Sequence, residues 1–168
     1  MTEQQVHSLA LQTANWMKQN KYNWVDPYKI ADIVTAICFV ESTYNPKAKN
    51  TRSSAKGLMQ MTDPAKKDAE RWLRLPTAST NEMYNPVYNL KLGTMYFLHQ
   101  YKRYNFDLKK SVIAYNQGHY NPNADGLDYW AKFQKAYKQR SPQVASFNPL
   151  LAILLVGGAI GTWWYYNR

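Results

Sequence analysis

The stretch PYKIADIVTAICFVES, Pro27 to Ser42, decides how this chain is read. Ile30, Ile33, Val34 and Ile37 recur at the i, i+3, i+4, i+7 spacing of one helix face. Asp26 and Pro27 supply an N-cap and a first-turn proline, and Asn45-Pro46 marks the end. Glu41 falls four residues after Ile37 and seven after Val34, so it shares the apolar face at the last turn. Partial desolvation there would raise its pKa, and the negative end of the helix dipole pushes the same way. A carboxyl that keeps its proton near neutral pH can serve as a general acid. The helix alone leaves a second reading open, in which Glu41 is a helix-end carboxylate pointing into water.

The same punctuation divides the rest of the chain. Thr2 caps a first helix with Gln5 at the capping-box position, and Val6, Leu9, Ala10 and Met17 form its apolar stripe. Residues 46–61 read as a polar, basic loop that turns apolar at GLMQM. Asp63-Pro64 opens a third helix to about Leu73, with Asp63 as its cap. Asn85-Pro86 opens a fourth, whose Val87, Leu90, Thr94, Phe97, Leu98 and Tyr101 keep helical spacing. Asp107 caps a short helix that stops at Gly118. A last helix around Leu127 to Arg140 carries Trp130, Phe133 and Tyr137 on one face. No segment alternates like a strand. The expected fold class is therefore mainly α, with at most a small β element near 46–62.

Composition bounds the function. A net charge of +10, with Arg168 the sole basic residue beyond position 140, favours an anionic partner: nucleic acid, anionic lipid or an acidic wall polymer. The lysines and arginines follow no nucleic-acid motif and no single face, so specific nucleic-acid binding is not expected. The one cysteine, Cys38, permits no intrachain disulfide, and the three histidines have no Cys or Glu partner at metal-ligand spacing. Neither metal nor cofactor is expected. The opening MTEQQVHSLALQTANW lacks the basic and apolar regions of a secretory signal.

The C-terminal segment has a different character. Ser141 to Asn167 contains no charged residue, and PLLAILLVGGAIGTWWYY, residues 149–166, would span about 27 Å as a helix. Trp163, Trp164, Tyr165 and Tyr166 suit an interfacial belt. The expected organisation is a catalytic domain over 1–140, a linker over 141–148 and a transmembrane helix over 149–166 in the lipid bilayer. A buried C-terminal core helix is the alternative.

Four blocks then change the weight on Glu41. ESTYNP at 41–46, GLMQ at 57–60, NPVYNLKLG at 85–93 and AYNQG at 114–118 follow in order. Together they resemble the soluble-type lytic transglycosylases, relatives of goose-type lysozyme, over roughly residues 25–120. The resemblance implies a lysozyme-like α domain that cleaves peptidoglycan between N-acetylmuramic acid and N-acetylglucosamine without metal or cofactor. By position it makes Glu41 the catalytic acid. It makes Ser42, Met59, Gln60, Tyr115 and Asn116 substrate-binding or orienting residues. Four of them have an ordinary structural alternative: helix-end satisfaction for Ser42 and Asn116, core packing for Met59 and Tyr115. SAKGLMQ departs from the family's usual Gly-Ala-x-Gly-Leu-Met-Gln at Ser54, and the interval from Glu41 to Gln60 is one residue longer than usual.

Glycoside hydrolases commonly use two carboxyl groups. No acidic residue lies between Glu41 and Gln60, and Asp63 is the next one. A single-carboxylate, non-hydrolytic cut is therefore the expected chemistry, with a hydrolytic muramidase or a non-catalytic wall-binding protein as alternatives. The basic residues before 149–166 would hold the preceding domain on the cytosolic side of a bacterial membrane. Peptidoglycan lies on the other side. That points to delivery by another route: the internal membrane of a bacteriophage virion, or secretion-machinery proteins.

Overall fold

The structure is a computed structural model and describes residues 1–139. Among the described residues six helices form in chain order: α1 Glu3–Asn20, α2 Pro27–Ser42, α3 Asp63–Leu73, α4 Pro86–Arg103, α5 Leu108–Gln117 and α6 Ala124–Lys138. A short 3-10 turn, Thr80–Tyr84, precedes α4. The expected caps form at Thr2 with its capping box, Asp26, Asn85 and Asp107, and Gly118 ends α5 in the left-handed region at φ 80°.

Three details differ from the sequence expectation. Thr62 caps α3 by accepting from the Ala65 N–H, so Asp63 is the first helical residue instead of the cap. Asn123 caps α6, which starts at Ala124 and not near Leu127. No strand forms near 46–62; among the described residues there are isolated bridges of Lys49 with Lys56 and of Lys56 with Met61. Short side chains account for the last difference. Asn45, Asn50 and Ser53 accept from the N–H groups of Lys47, Arg52 and Ala55, two residues on in each case. Such local bonds compete with a strand ladder.

α2 is the central element. Ile30, Ala31, Ile33, Val34, Ala36, Ile37 and Cys38 are all within 1% of full burial. α1 packs along one side of α2 and α6 along another; α4 bridges α1, α3 and α5. α3 is fastened by a buried polar group. Lys66 Nζ lies 2.6 Å from Glu70 Oε1 and donates to Ala78 O, while Tyr88 OH donates to Glu70 at 2.6 Å.

The 57–61 stretch owes its path to α4. Asn89 Oδ1 accepts from the Met59 N–H at 2.8 Å, and Asn89 Nδ2 donates to Lys56 O and Met83 O. Gly57, at φ 78°, passes so close that a Cβ would sit 2.1 Å from Met83 O. Gly93 makes room for Met59, whose Sδ would lie 2.3 Å from a Cβ placed there. Thus Asn89 and Gly93 of NPVYNLKLG exist to seat GLMQ, a packing reason for two blocks lying far apart in sequence.

Among the described residues no helix is long and apolar enough to cross a membrane. The linker over 141–148 and the expected transmembrane helix over 149–166 lie outside the described residues.

Candidate active site

Glu41 occupies the last turn of α2, half-buried. Directly after it the chain reverses through Thr43 at φ 50° and Tyr44 at φ 64°, two non-glycine residues in the left-handed region. Such conformations are uncommon outside Gly, Asn and Asp. They bring the following loop back toward the helix end. Ser42 completes the turn: its Oγ lies 3.0 Å from Cys38 O and 2.8 Å from Leu58 O. Its one hydroxyl proton is thus directed at backbone carbonyls, and it ties α2 to the GLMQ segment. Both contacts are to backbone carbonyls and neither is to Glu41.

Desolvation raises the Glu41 carboxyl from 4.5 to about 7, and a hydrogen bond from Tyr129 partly opposes the rise. Tyr129 OH donates to Glu41 Oε1 at 2.7 Å. Among the described residues no second charge contributes to this shift. Burial, then the charge of Glu41, pushes the hydroxyls of Tyr115 and Tyr129 well above the ordinary tyrosine range. Both therefore stay protonated and act as donors.

The remaining expected site residues take distinct positions. Tyr115 is buried, and its hydroxyl donates to Met59 O at 2.7 Å, not to Glu41. Met59 is fully buried and packs against Gly93, so its side chain belongs to the core instead of lining a groove. Its backbone carbonyl accepts the Tyr115 hydroxyl, which ties the 57–61 stretch to α5. Gln60 sits at φ 44°, and its Nε2 donates to Ala48 O and Gly57 O, which closes the 46–61 loop on itself. Asn116 is exposed on the last turn of α5. Ser54, at the departure from the family pattern, accepts from the Asp63 N–H and so helps to start α3.

Tyr129 is the residue that sequence reading misses. Its spacing to Phe133 and Ala136 marks it as part of the buried α6 face. Among the described residues no cluster of three or more His, Cys, Asp or Glu could hold a metal ion.

The helices and the desolvated carboxylate at the end of α2 agree with the lysozyme-like fold that the sequence resemblance implied. The chain belongs to the transglycosylase SLT domain family, whose model matches residues 12–138. It is 32% identical over 110 residues to the membrane-bound lytic murein transglycosylase E of Buchnera aphidicola subsp. Acyrthosiphon pisum. That match covers 59% of this chain and 49% of the relative, so the chain spans about half the length of that curated protein. The fold resembles an inactive mutant of the lytic transglycosylase Slt from Pseudomonas aeruginosa, with a TM-score of 0.67 and 19% identity. That likeness covers 85% of this chain and 25% of the other. The 70 kDa soluble lytic transglycosylase of Escherichia coli aligns with a TM-score of 0.53 and 24% identity, over 73% of this chain and 20% of that one.

Proposed function

We propose that this chain is a peptidoglycan lytic transglycosylase that cuts the β-1,4 bond between N-acetylmuramic acid and N-acetylglucosamine without water. The observation that carries the reading is Glu41: its carboxyl, at the end of α2, is raised to about 7 by burial against the opposing hydrogen bond from Tyr129. Family membership supports the same substrate class.

Glu41 gives its proton to the glycosidic oxygen as the bond to C1 breaks. The N-acetyl group of the sugar can stabilise the cationic centre. Glu41, now ionised and steadied by the Tyr129 hydroxyl, takes the proton of the C6 hydroxyl of the same muramic residue. O6 attacks C1 and closes a 1,6-anhydro ring. The proton given in the first step returns in the second, and no water is consumed. An intramolecular nucleophile has a high effective molarity, which removes the need for a second carboxylate to position water.

In this mechanism Glu41 is the catalytic residue. Tyr129 and Tyr115 position the carboxylate and the 59–60 backbone. Ser42 and Gln60 shape the loop beside them, and Asn116 is free to meet substrate at the exposed end of α5. A hydrolytic muramidase of the same fold is the second reading; Asp63 is the nearest acid along the chain after Glu41, and it already faces Lys56 at 3.8 Å. For location, the uncharged run over 149–166 supports a membrane anchor, and a wall-breaching role in a phage virion is the use that fits its orientation.

The test is Glu41→Gln assayed by clearing of peptidoglycan embedded in a gel. The variant is expected to fold and to lose nearly all clearing. Clearing equal to that of the parent would remove Glu41 from the mechanism.

A further inference from the structure

A cluster of rings and cations gathers at the end of α2 away from Glu41, where three parts of the chain meet. The α1–α2 connection supplies Tyr22 and Trp24, and the first turn of α2 supplies Lys29. The end of α4 and the turn after it supply Tyr101, Lys102 and Phe106. Tyr101 is the buried floor. Trp24 lies 6.4 Å from it and Phe106 5.4 Å, centroid to centroid. Trp24 meets Phe106 edge-on at 5.0 Å, and Tyr22 lies 5.0 Å from Trp24. The outer rings reach solvent: Tyr22 and Trp24 are half-buried, and Phe106 is 48% exposed. Phe106 is held there at φ 64°, after Asn105 at φ 52°, in a left-handed turn that a bulky residue rarely adopts. Lys29 Nζ sits 5.6 Å over the Tyr101 ring and Lys102 Nζ 5.9 Å over the Tyr22 ring, and both side chains are exposed. The neighbouring acids, Asp26 and Asp107, are N-caps whose carboxylates accept from the first-turn N–H groups of α2 and α5. Their charge is offset at the helix ends, while the lysines face water.

Exposed aromatic rings interleaved with lysines suit a membrane interface: the rings enter the headgroup layer and the ammonium groups meet lipid phosphates. We propose that this cluster is a docking face for an anionic lipid bilayer. The end of the described chain favours lipid over another polyanion. Burial raises the Tyr137 hydroxyl, and Asp32, Lys29 and Tyr101 act on it electrostatically, so the last turn of α6 borders the cluster. From Gln139 to Pro149, where the uncharged run begins, the chain reaches at most about 35 Å. An anchor in that run keeps this face close to the bilayer. The choice of lipid rests on the anchor reading given above. Glu41 lies about 21 Å from Pro27 along the α2 axis, so a chain docked by this end holds its carboxylate clear of the lipid.

The test uses the full chain with an environment-sensitive thiol dye at Asn23→Cys, between Tyr22 and Trp24; Cys38 is buried and does not compete for it. A second sample carries the dye at Arg52→Cys, in the loop that follows the far end of α2. Each is mixed with vesicles of phosphatidylcholine, alone or with one-third phosphatidylglycerol, that hold a quencher at headgroup depth. The expected result is quenching at position 23 and not at 52, on the anionic vesicles, and reversed by salt. A lysine near an anionic surface is worth about fivefold in such an equilibrium, so Lys29→Gln with Lys102→Gln should lower the docked-to-free ratio about twentyfold. No quenching at 23 on anionic vesicles overturns the proposal. So does equal quenching at both positions, or quenching that neither salt nor the two glutamines lower. A dye at 23 that added DNA shields and lipid does not touch overturns it in favour of nucleic acid. A dye already shielded before any addition means that the chain covers its own cluster, and also overturns it. Flotation of the unlabelled chain with neutral vesicles reads the anchor separately. Flotation without quenching at 23 on anionic vesicles leaves the anchor and removes the docking face; quenching without that flotation keeps the docking face and removes the anchor.

Discussion

Replacing Glu41 by glutamine should stabilise the fold, and by an amount that depends on pH in one direction. Burial moves the carboxyl from 4.5 to about 7. That displacement corresponds to about 3 kcal/mol at most. Solvent at a half-buried group screens part of it, so about 2 kcal/mol is the working figure. The sign follows from proton binding. Below pH 4.5 the carboxyl is neutral in both folded and unfolded chains and contributes nothing. Between 4.5 and about 7 the folded chain holds a proton that the unfolded chain has released, so stability falls as pH rises. By about pH 8 both states are ionised and the full cost is present. Glutamine does not titrate, and its carbonyl can still accept from Tyr129. Urea unfolding of parent and Glu41→Gln at steps from pH 4 to pH 9 isolates the effect, because every other group cancels in the difference. The variant's advantage should be flat below pH 4.5, grow by about 2 kcal/mol by pH 8 and then level off. A difference independent of pH, or one that shrinks as pH rises, would refute the claim that Glu41 is a desolvated acid.

Two further changes probe the supports of the site. Tyr129→Phe removes the hydrogen bond that holds the ionised carboxylate, so the alkaline limb of the activity profile should move above 7 and turnover should fall; kcat measured against pH checks both. Asn89→Ala strips partners from the Met59 N–H and from Lys56 O and Met83 O, so about 3 kcal/mol or more of stability should be lost in urea melts, and a loss below 1 kcal/mol would show that water replaces the amide.

The helices were legible because the chain marks its own boundaries. Asp26-Pro27, Asn85-Pro86 and Asp107 each satisfy a helix N-terminus locally, so a reading within four residues suffices. Glu41 was legible for the same reason: its place on the apolar face is a matter of periodicity. What the sequence concealed is tertiary. Tyr129 is 88 residues from Glu41, and nothing local connects them. Met59 looks like a groove residue until Gly93, on α4, is seen to give it a place in the core. Tyr115 and Ser42 were expected near the chemistry; their hydroxyls bind backbone carbonyls of the 58–59 segment, a partner choice made only when α2, α5 and the loop meet. The Thr62 cap shows the limit at short range, since Thr and Asp side by side both suit the position.

The central claim is that one carboxylate cuts the strand because the sugar brings its own nucleophile. Digestion of purified peptidoglycan by the full chain, with mass analysis of the released muropeptides, tests it most directly. The account predicts muramic ends carrying the 1,6-anhydro ring, each lighter by one water than a reducing end. A digest made up mostly of hydrated, reducing ends would contradict it and make the chain a muramidase.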